Sequence, residues 1–360
     1  MPPWHTPELA GQCWTEDSVS LRYVELSPAT PAIRDMSVAS RLYRQTVALR
    51  PQVVHVFKPI GHAGAALQIL QGCRRLSRHK VALVVDQDDW EGRGGWSDKQ
   101  RGTLGRRVIS WQERWALLHA QAVTVASREL ESLAWSLGVA PERVHHLPNG
   151  PREWRQGDRE TVRERYALGS APTVLLYTRF FEFEPARVAL AFALVRQAIP
   201  EVQFLVVGEG LDKRVEEGFY AQADALALQD AIVRAGWVPE QELPNWFAAA
   251  NVAIYPFDDT LINRTKCPVK LTDLLYAQVP VVAESVGEIR EYIRHRETGM
   301  LVPSGEPAAL AKATVELLRA PALAASLANN AAHEMRTRYS WSALAGQVAE
   351  IYVKACAGQP

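Results

Sequence analysis

The chain has 360 residues, of which 40 are Lys or Arg and 40 are Asp or Glu, so its formal net charge is zero at pH 7. A single hydrophobic core stops growing at about 250–300 residues, so this length predicts two domains, and the balanced charge gives no overall field that favours nucleic acid. The four cysteines lie far apart without a CxxC pair, which excludes the common zinc spacings and predicts reduced thiols in the cytoplasm. No run of about 18 apolar residues occurs, so we expect a chain that is at most peripheral to the inner face of a membrane.

The first half of the chain predicts strands that alternate with helices. Strands are predicted at residues 21–26, 53–57, 81–85, 122–126 and 144–147, with helices at 37–49, 103–119 and from Ser127 onwards. A turn-rich loop is predicted at residues 58–64, followed by a helix that ends at about residue 76. The segment VALVV at residues 81–85 is continuously apolar, as parallel strands buried on both faces are. Ser127 is a helix-capping residue type, and Glu129 and Glu131 in the following turn favour a helix start there.

The second half repeats the pattern. Strands are predicted at residues 174–177, 203–207, 232–235, 252–255, 281–283 and 300–302. Strands that alternate with helices of 10–15 residues indicate a parallel, doubly wound sheet, so the sequence predicts an α/β fold with two Rossmann-like domains. Ligands of such sheets bind beyond the carboxyl ends of the strands, which predicts one cleft surrounded by the loops that follow them.

The segment 263–293 combines a basic loop with a helix start. Its sequence is NRTKCPVKLTDLLYAQVPVVAESVGEIREYI, and Pro268 suits a first helical position because proline lacks the amide that a helix start leaves unpaired. A basic loop that leads into a helix start favours an anionic ligand. An ordinary strand–helix junction with a solvated loop is the alternative.

Several segments, in this order and spacing, resemble one family. They are TVLLYTR, FLVVGEG, AGWVP, the segment PVKLTDLLYAQVPVVAESVGEIREYI, TGMLVPSGEPAALAKA and YSWSALAGQVAEIY, and in the first half AVTVASRELESLAWSLGVAPERVHHLPNG. The chain resembles the retaining GT-B glycosyltransferases of family 4, also called group 1. The resemblance implies an acceptor-binding domain at residues 1–155, a donor-binding domain at 156–338 and a final helix, 339–360, that returns to the first domain.

The implied activity is transfer of a sugar, with retention at the anomeric carbon, from a nucleotide sugar to a glycan, glycolipid or other lipid-linked acceptor. The base of the nucleotide is open, neither a metal nor another cofactor is implied, and the resemblance places the reaction in cell-surface glycan synthesis. The alternative is a non-catalytic subunit that binds a nucleotide sugar or a partner chain.

The resemblance also implies roles for individual residues. Arg179 takes the place of the family's phosphate-binding arginine. The other donor-binding positions are Gly208, Glu209 and Gly210 where the backbone approaches the donor, Trp237 and Val238 at the nucleobase, Lys266, Cys267, Pro268, Val269 and Lys270 around the diphosphate, and Asp273 at the ribose hydroxyls. In the acceptor domain His62 and Asp86 are the candidate catalytic residues. A histidine that caps a turn and an aspartate that caps a helix are the alternatives, and Lys58 is a further candidate for phosphate or acceptor contact.

The sequence departs from the family pattern at the donor site. Glu184 replaces the lysine five residues after the arginine, Thr265 replaces the first glutamate of the E-x7-E pattern, and Gln278 replaces a glycine. A carboxylate 4 Å from a phosphate charge would cost about 4 kcal/mol at an effective dielectric constant of 20. We therefore expect Glu184 to point away, with Lys266 or Lys270 supplying the second cation.

The front of the chain lacks the first strand and glycine-rich loop of the family. Since the first strand is central in a doubly wound sheet, we expect either an upstream segment or another chain to complete the first sheet. A basic run, Arg74, Arg75, Arg78, His79 and Lys80, is compatible with an anionic membrane surface, and a solvated helix end is the alternative.

Overall fold

The computed structural model describes residues 7–26, 31–74, 81–100 and 102–357, which fall into two compact units. The first unit comprises residues 1–147 and 346–360, and the second comprises residues 148–345. The division lies earlier than the predicted boundary at residue 155. The reason is that the amides of Asn149 and Arg152 donate to Cys267 and Asp273, so this segment is bound to the second unit.

The first unit is built on a parallel sheet of four strands. Its elements are β1 (Cys13–Glu16), β2 (Val19–Arg22), α1 (Pro31–Leu49), β3 (Val53–Phe57), α2 (Gly61–Arg74), β4 (Ala82–Gln87), α3 (Trp96–Gln100), α4 (Thr103–His119), β5 (Ala122–Val125), α5 (Arg128–Ser136) and β6 (Val144–His146). The strand order is β3-β4-β5-β6. The apolar residues of β4 and β5 are buried, which agrees with the continuous apolar pattern of these strands in the sequence.

The strand predicted at residues 21–26 is wrong. The segment forms an antiparallel hairpin instead, in which β1 pairs only with β2, and β3 lies at the edge of the described four-stranded sheet. The hairpin turn is Asp17-Ser18, and both residues have positive φ values of 47° and 68°. This geometry fits a two-residue hairpin turn. Completion of the sheet by an upstream segment or another chain stays a prediction, and residues 75–80 of the basic run lie outside the described residues.

The second unit contains a parallel sheet of six strands. Its elements are α6 (Arg159–Arg165), β7 (Thr173–Tyr177), α7 (Pro185–Ala198), β8 (Gln203–Val207), α8 (Lys213–Ala225), β9 (Ile232–Gly236), α9 (Leu243–Ala249), β10 (Val252–Tyr255), α10 (Leu261–Thr265), α11 (Val269–Tyr276), β11 (Val281–Glu284), α12 (Ile289–Tyr292), β12 (Met300–Val302), α13 (Pro307–Arg319) and α14 (Pro321–Thr337). The strand order is β12-β11-β10-β7-β8-β9.

Aromatic side chains of α7 and α8 pack against the sheet in the core of the second unit. Phe192 on α7 stacks on Phe204 of β8 with ring centres 4.0 Å apart, and Phe219 of α8 packs edge-on against Phe192. Burying each large apolar side chain contributes roughly 1.5–3 kcal/mol. The chain runs from β7 to β8 on one side and later fills β10 on the other, so the strand order reverses beside β7. Ligands of open α/β sheets bind at such a reversal.

The last helix, α15 (Trp341–Ala357), links the two units in sequence. Ile351 and Ala355 are buried against β4 and β5 of the first unit, and the Tyr352 hydroxyl lies 2.9 Å from Nδ1 of His55 on β3. The helix thus joins the first unit from residue 346, not from residue 339 as predicted. Within the described ranges, none of the helices combines the length and the apolar composition that crossing a membrane requires.

Candidate active site

A cleft of about 610 Å³ lies at the carboxyl ends of β7, β8 and β9 in the second unit. Nine of the twelve predicted donor-binding residues line it: Arg179, Gly208, Glu209, Gly210, Trp237, Val238, Val269, Lys270 and Asp273. They come from the three loops that follow β7, β8 and β9 and from the first turns of α11. The sheet therefore brings together positions that are up to 94 residues apart in sequence, from Arg179 to Asp273.

The turn after β8 requires glycine because its backbone packs closely against the end of β7. Gly208 has a φ of +115°, and a Cβ atom at this position would lie only 1.9 Å from the carbonyl oxygen of Thr178. Only glycine can bring the backbone this close to β7 in this conformation. Between the two glycines, the side chain of Glu209 points to solvent and pairs with Lys213 at 3.3 Å.

Two basic side chains give the cleft its positive charge. Arg179 follows β7, is exposed and forms no ion pair with any residue in the described part of the chain. The Lys270 ammonium lies 4.1 Å from the centre of the Tyr177 ring. The pKa of Lys270 is lowered from 10.5 to about 8, chiefly by burial, with the charge of Arg179 acting in the same direction and that of Glu182 opposing it. A bound anion would offset the repulsion between these cations.

The start of α11 adds backbone donors to these charges. The helix begins at Val269, with Pro268 at the N-cap position rather than at the first helical position that we predicted. The amides of a first helical turn have no acceptor within the helix. Val269 and Lys270 belong to this turn and line the cleft, so their amides and side chains share one site.

Asp273 is buried on the second turn of α11, and its orientation is fixed. Its Oδ1 atom accepts a hydrogen bond from the Arg152 amide at 3.2 Å and another from the Trp154 indole at 3.0 Å. Burial raises the pKa of this carboxyl. The Arg152 guanidinium itself pairs with Glu240 at 2.5 Å, so the charge of Glu240, which also lines the cleft, is offset by Arg152.

Three predicted donor residues do not line the cleft. The Lys266 ammonium pairs with Glu182 at 3.2 Å, and Pro268 has no amide hydrogen to donate. The Cys267 thiol is buried 3.0 Å from the Tyr292 hydroxyl and accepts from the Asn149 amide at 3.1 Å. Burial raises the pKa of this thiol to about 12. The side chain of Cys267 therefore holds the loop before α11 against Tyr292 and Asn149, and it does not face the cleft.

In the first unit the two candidate catalytic residues occupy different elements. Asp86 lies near the carboxyl end of β4, where burial raises its pKa to about 6 and Thr124 donates to its Oδ1 atom at 2.5 Å. His62 is the second residue of α2, and burial lowers its pKa. Thr124 also contacts Nε2 of His55 at 3.2 Å, so Asp86 belongs to a hydrogen-bond chain that continues to Tyr352.

Lys58 is already surrounded by carboxylates. Its ammonium lies 2.9 Å from Asp89, 3.6 Å from Glu91 and 3.9 Å from Asp88. Each of these partners reduces the positive charge that Lys58 could offer a phosphate. This geometry disfavours the phosphate contact that we considered for Lys58.

Two family models match the chain and together cover most of it. The model for glycosyl transferases group 1 matches residues 172–320, and that for a glycosyl transferase 4-like domain matches residues 5–150. The chain belongs to the group 1 glycosyltransferases.

Curated relatives agree with this membership. The alpha-D-kanosaminyltransferase of Streptomyces kanamyceticus is 26% identical over 68% of this chain and 63% of its own length. The D-inositol 3-phosphate glycosyltransferase of Thermobispora bispora is 30% identical over 66% of this chain and 56% of its own. The match thus spans a little over half the length of these relatives.

Solved structures show that the fold is GT-B. Sucrose-phosphate synthase from Thermosynechococcus elongatus is similar with a TM-score of 0.71 at 20% identity, covering 96% of this chain and 86% of that one. The Anabaena protein HepE, solved in complex with UDP, is similar with a TM-score of 0.68 at 18% identity, covering 91% and 85%.

The departures from the group 1 pattern have local explanations. Glu184 is the N-cap of α7 and accepts from the amides of Ala186 and Arg187 at 2.9 and 2.8 Å, and it does not line the cleft. Thr265 is buried, with its hydroxyl donating to the Ile262 carbonyl at 3.0 Å. Neither Glu184 nor Thr265 is among the residues that line the cleft.

Sequence reasoning missed other residues of the cleft. Arg152, Tyr177, Glu240 and Leu243 line it as well. Tyr177 ends β7, so its place at the carboxyl edge was a signal for the site. Arg152 lies next to the predicted domain boundary at residue 155, and no sequence pattern placed it against Asp273.

Proposed function

We propose that this chain is a retaining glycosyltransferase whose second unit holds a nucleotide sugar. The observation that carries the proposal is the meeting of Arg179, Lys270 and the start of α11 in one cleft at the strand reversal. Neither cation forms an ion pair with a carboxylate in the described residues. The leaving group of the reaction is a nucleoside diphosphate, on which negative charge develops in the transition state. Fixed positive charges and backbone amides beside the diphosphate stabilise that charge and so favour its departure.

The remaining cleft residues fit the other parts of a nucleotide sugar. The Trp237 side chain is 74% exposed at the cleft, which suits stacking on a nucleobase. The Asp273 carboxylate is held by two donors on Oδ1, and we propose that its other oxygen accepts from the ribose hydroxyls. The bare backbone of Gly208 and Gly210 lets the sugar and phosphates approach closely. HepE in complex with UDP supports a nucleoside diphosphate as the ligand class.

The acceptor belongs to the first unit in this proposal, with His62 and Asp86 contacting it. Asp86 is held by Thr124, and a carboxyl with a pKa of about 6 can accept hydrogen bonds from a hydroxyl at neutral pH. The names of relatives include transfer to phosphatidyl-myo-inositol and to D-inositol 3-phosphate. These names support a polyhydroxyl acceptor, and a glycolipid or another cell-surface glycan is the class that we propose, made on the cytoplasmic side and at most beside the membrane.

A second candidate function is nucleotide-sugar binding without turnover. Thr265 favours it, because this buried residue at the end of α10 bonds to the Ile262 carbonyl where the family places a carboxylate. The two candidates make the same prediction for nucleotide binding and differ in chemistry.

The first test is a thermal-shift panel with UDP, GDP, ADP, CDP and dTDP. Ligand at about 100 times its dissociation constant stabilises a protein by roughly 2.7 kcal/mol, which is a shift of a few degrees. We expect one nucleotide to give this shift and the variant Arg179→Ala, Asp273→Ala to lose it. No shift with any nucleotide on a cooperatively melting protein would refute donor binding.

The second test separates the transferase from the binding subunit. The matching nucleotide sugar is incubated with the protein, and release of the nucleoside diphosphate is followed without and with polyhydroxyl acceptors. Slow hydrolysis or transfer supports the enzyme, and the anomeric coupling constant of the product in an NMR spectrum reports retention. Tight binding without any release supports the second candidate.

A further inference from the structure

A second cavity, of about 410 Å³, lies in the first unit beside the starts of β5 and β6. Three basic residues that line it, Arg143, His145 and Lys354, face one carboxylate, that of Glu142. It borders the amino ends of the strands, whereas Asp86 lies near the carboxyl end of β4. The cavity is therefore separate from the proposed acceptor contact at Asp86.

Arg143 carries a hydrogen-bond donor that the protein does not satisfy. Its Nη2 atom donates to the carbonyls of Leu117, Leu118 and Ala120 at the end of α4. Its Nε atom is buried and has no acceptor among the described residues. Burial also lowers the pKa of this guanidinium. Buried donors without an acceptor are rare in proteins, and such an atom indicates a place for a bound ion or molecule.

His145 and Lys354 repel each other across the same cavity. Burial lowers the pKa of His145, and the Lys354 charge lowers it further. Lys354 is exposed on α15 and forms no ion pair with the residues that the structure describes. His119 also lines the cavity, but its Nδ1 atom is bonded to the Trp115 carbonyl at 2.7 Å. An anion in the cavity would relieve the repulsion and favour the protonated form of His145.

We propose that this cavity binds a small, free phosphate-bearing anion, such as inorganic phosphate or a short phosphate monoester. The Nε–H group of Arg143 is the unused donor, because Nη2 already donates to three carbonyls, and it can give one charge-assisted hydrogen bond to a phosphate oxygen. Lys354 adds a mobile point charge, and protonated His145 adds a further donor. The volume exceeds the roughly 30 Å³ share of one water many times over, so a phosphate ester fits.

The test follows His145 directly. The full chain, with its histidine rings labelled with ¹⁵N, is titrated with pH by NMR in inorganic phosphate and in chloride at equal ionic strength. His145→Gln identifies the signal. We expect phosphate to raise the pKa of His145 by about one unit, as an opposite charge at close range does.

Two variants check the geometry without disturbing the core. Lys354→Met removes an exposed charge, so we expect phosphate to bind about tenfold more weakly, which is the loss of one charge-assisted contact. It also raises the pKa of His145 in chloride. Lys312→Met, on the exposed face of α13 in the other unit, leaves both quantities unchanged.

An equal His145 pKa in phosphate and chloride would overturn the proposal. So would parallel shifts of all histidines, since general screening by salt produces that pattern. Arg179→Gln removes a cation from the cleft of the second unit only, so it is expected to abolish nucleotide binding and leave the phosphate effect on His145 intact. The two proposals therefore fail separately.

Discussion

Nucleotide binding to the cleft of the second unit should depend on pH through Lys270. Burial lowers the pKa of this ammonium from 10.5 to about 8 in the free protein. A bound diphosphate favours the charged form and therefore raises the pKa of Lys270 in the complex. Between these two pKa values binding takes up a proton, so affinity falls as pH rises. A nucleoside diphosphate keeps its own charge above pH 7.5, because the last phosphate ionisation has a pKa near 6.

The size of the effect follows from the displaced pKa. If the diphosphate restores the ordinary value of 10.5, the gap of about 2.5 pKa units limits the total loss to about 300-fold. At pH 9.5 the same gap predicts a dissociation constant about 30-fold larger than at pH 7. A smaller rise of the Lys270 pKa in the complex gives a proportionally smaller loss with the same sign.

Isothermal titration calorimetry with the nucleotide selected by the thermal-shift panel measures this dependence from pH 7 to 9.5. Repeating it in buffers of different ionisation enthalpy counts the protons taken up. Lys270→Arg keeps a charge throughout and should bind with little dependence on pH, whereas Lys270→Met should bind weakly and equally at every pH. Lys312→Met, exposed on α13, is the matched control and should behave as the unmodified protein. A wild-type affinity that is constant over this range, or the same slope in Lys270→Met, would refute the reasoning.

Three further predictions concern single positions of the second unit. Gly208→Ala should lower the free energy of unfolding, measured by urea denaturation, by about 3 kcal/mol or more, because the new Cβ would overlap the Thr178 carbonyl and the φ of this residue is positive. Gly218→Ala is the control: this glycine has open space around it in the middle of α8, so the substitution should raise the free energy of unfolding by about 0.5–1 kcal/mol. Glu184→Ala should cost about 1 kcal/mol of stability as a lost helix cap while nucleotide affinity stays the same, and a large gain in affinity would show that this carboxylate faces the donor. Trp237→Ala should weaken nucleotide binding about tenfold or more through lost stacking, measured by calorimetry, with an unchanged melting temperature because the ring is exposed.

Much of the fold was predictable because buried parallel strands have a simple pattern. Residues 174–177 and 281–283 were recognised as continuous apolar runs, and the structure places strands there as β7 and β11. The hairpin of β1 and β2 was missed because its turn, Asp17-Ser18, reaches positive φ without a glycine or asparagine to signal it. The period of a strand is visible in sequence, whereas its sheet partner depends on the tertiary fold.

The candidate site was predictable to the level of loops and not of side chains. Loops that follow strands must meet at one edge, so the positions of Arg179 and Gly208 followed from topology. Topology did not predict which of the two lysines, Lys266 or Lys270, lines the cleft. Lys266 precedes the start of α11 and meets Glu182, a residue 84 positions earlier, while Lys270 is one residue into the helix and faces Tyr177. Contacts between residues so distant in sequence leave no local pattern.

The altered residues leave the positive charge of the proposed donor site in place. Glu184 replaces the family lysine. Its carboxylate accepts hydrogen bonds from two amides in the first turn of α7, where the helix dipole stabilises a negative charge. The charge that the lysine would supply is available from Lys270, at the start of another helix and inside the same cleft. Because the pKa of Lys270 is about 8, its positive charge is present at neutral pH and its burial makes each phosphate contact stronger than at the surface. In the proposed donor site, Lys270 at the start of α11 therefore supplies the positive charge that the family lysine would supply. Thr265 is the change that favours the second candidate function, because its hydroxyl is bonded to the Ile262 carbonyl where the family places a carboxylate.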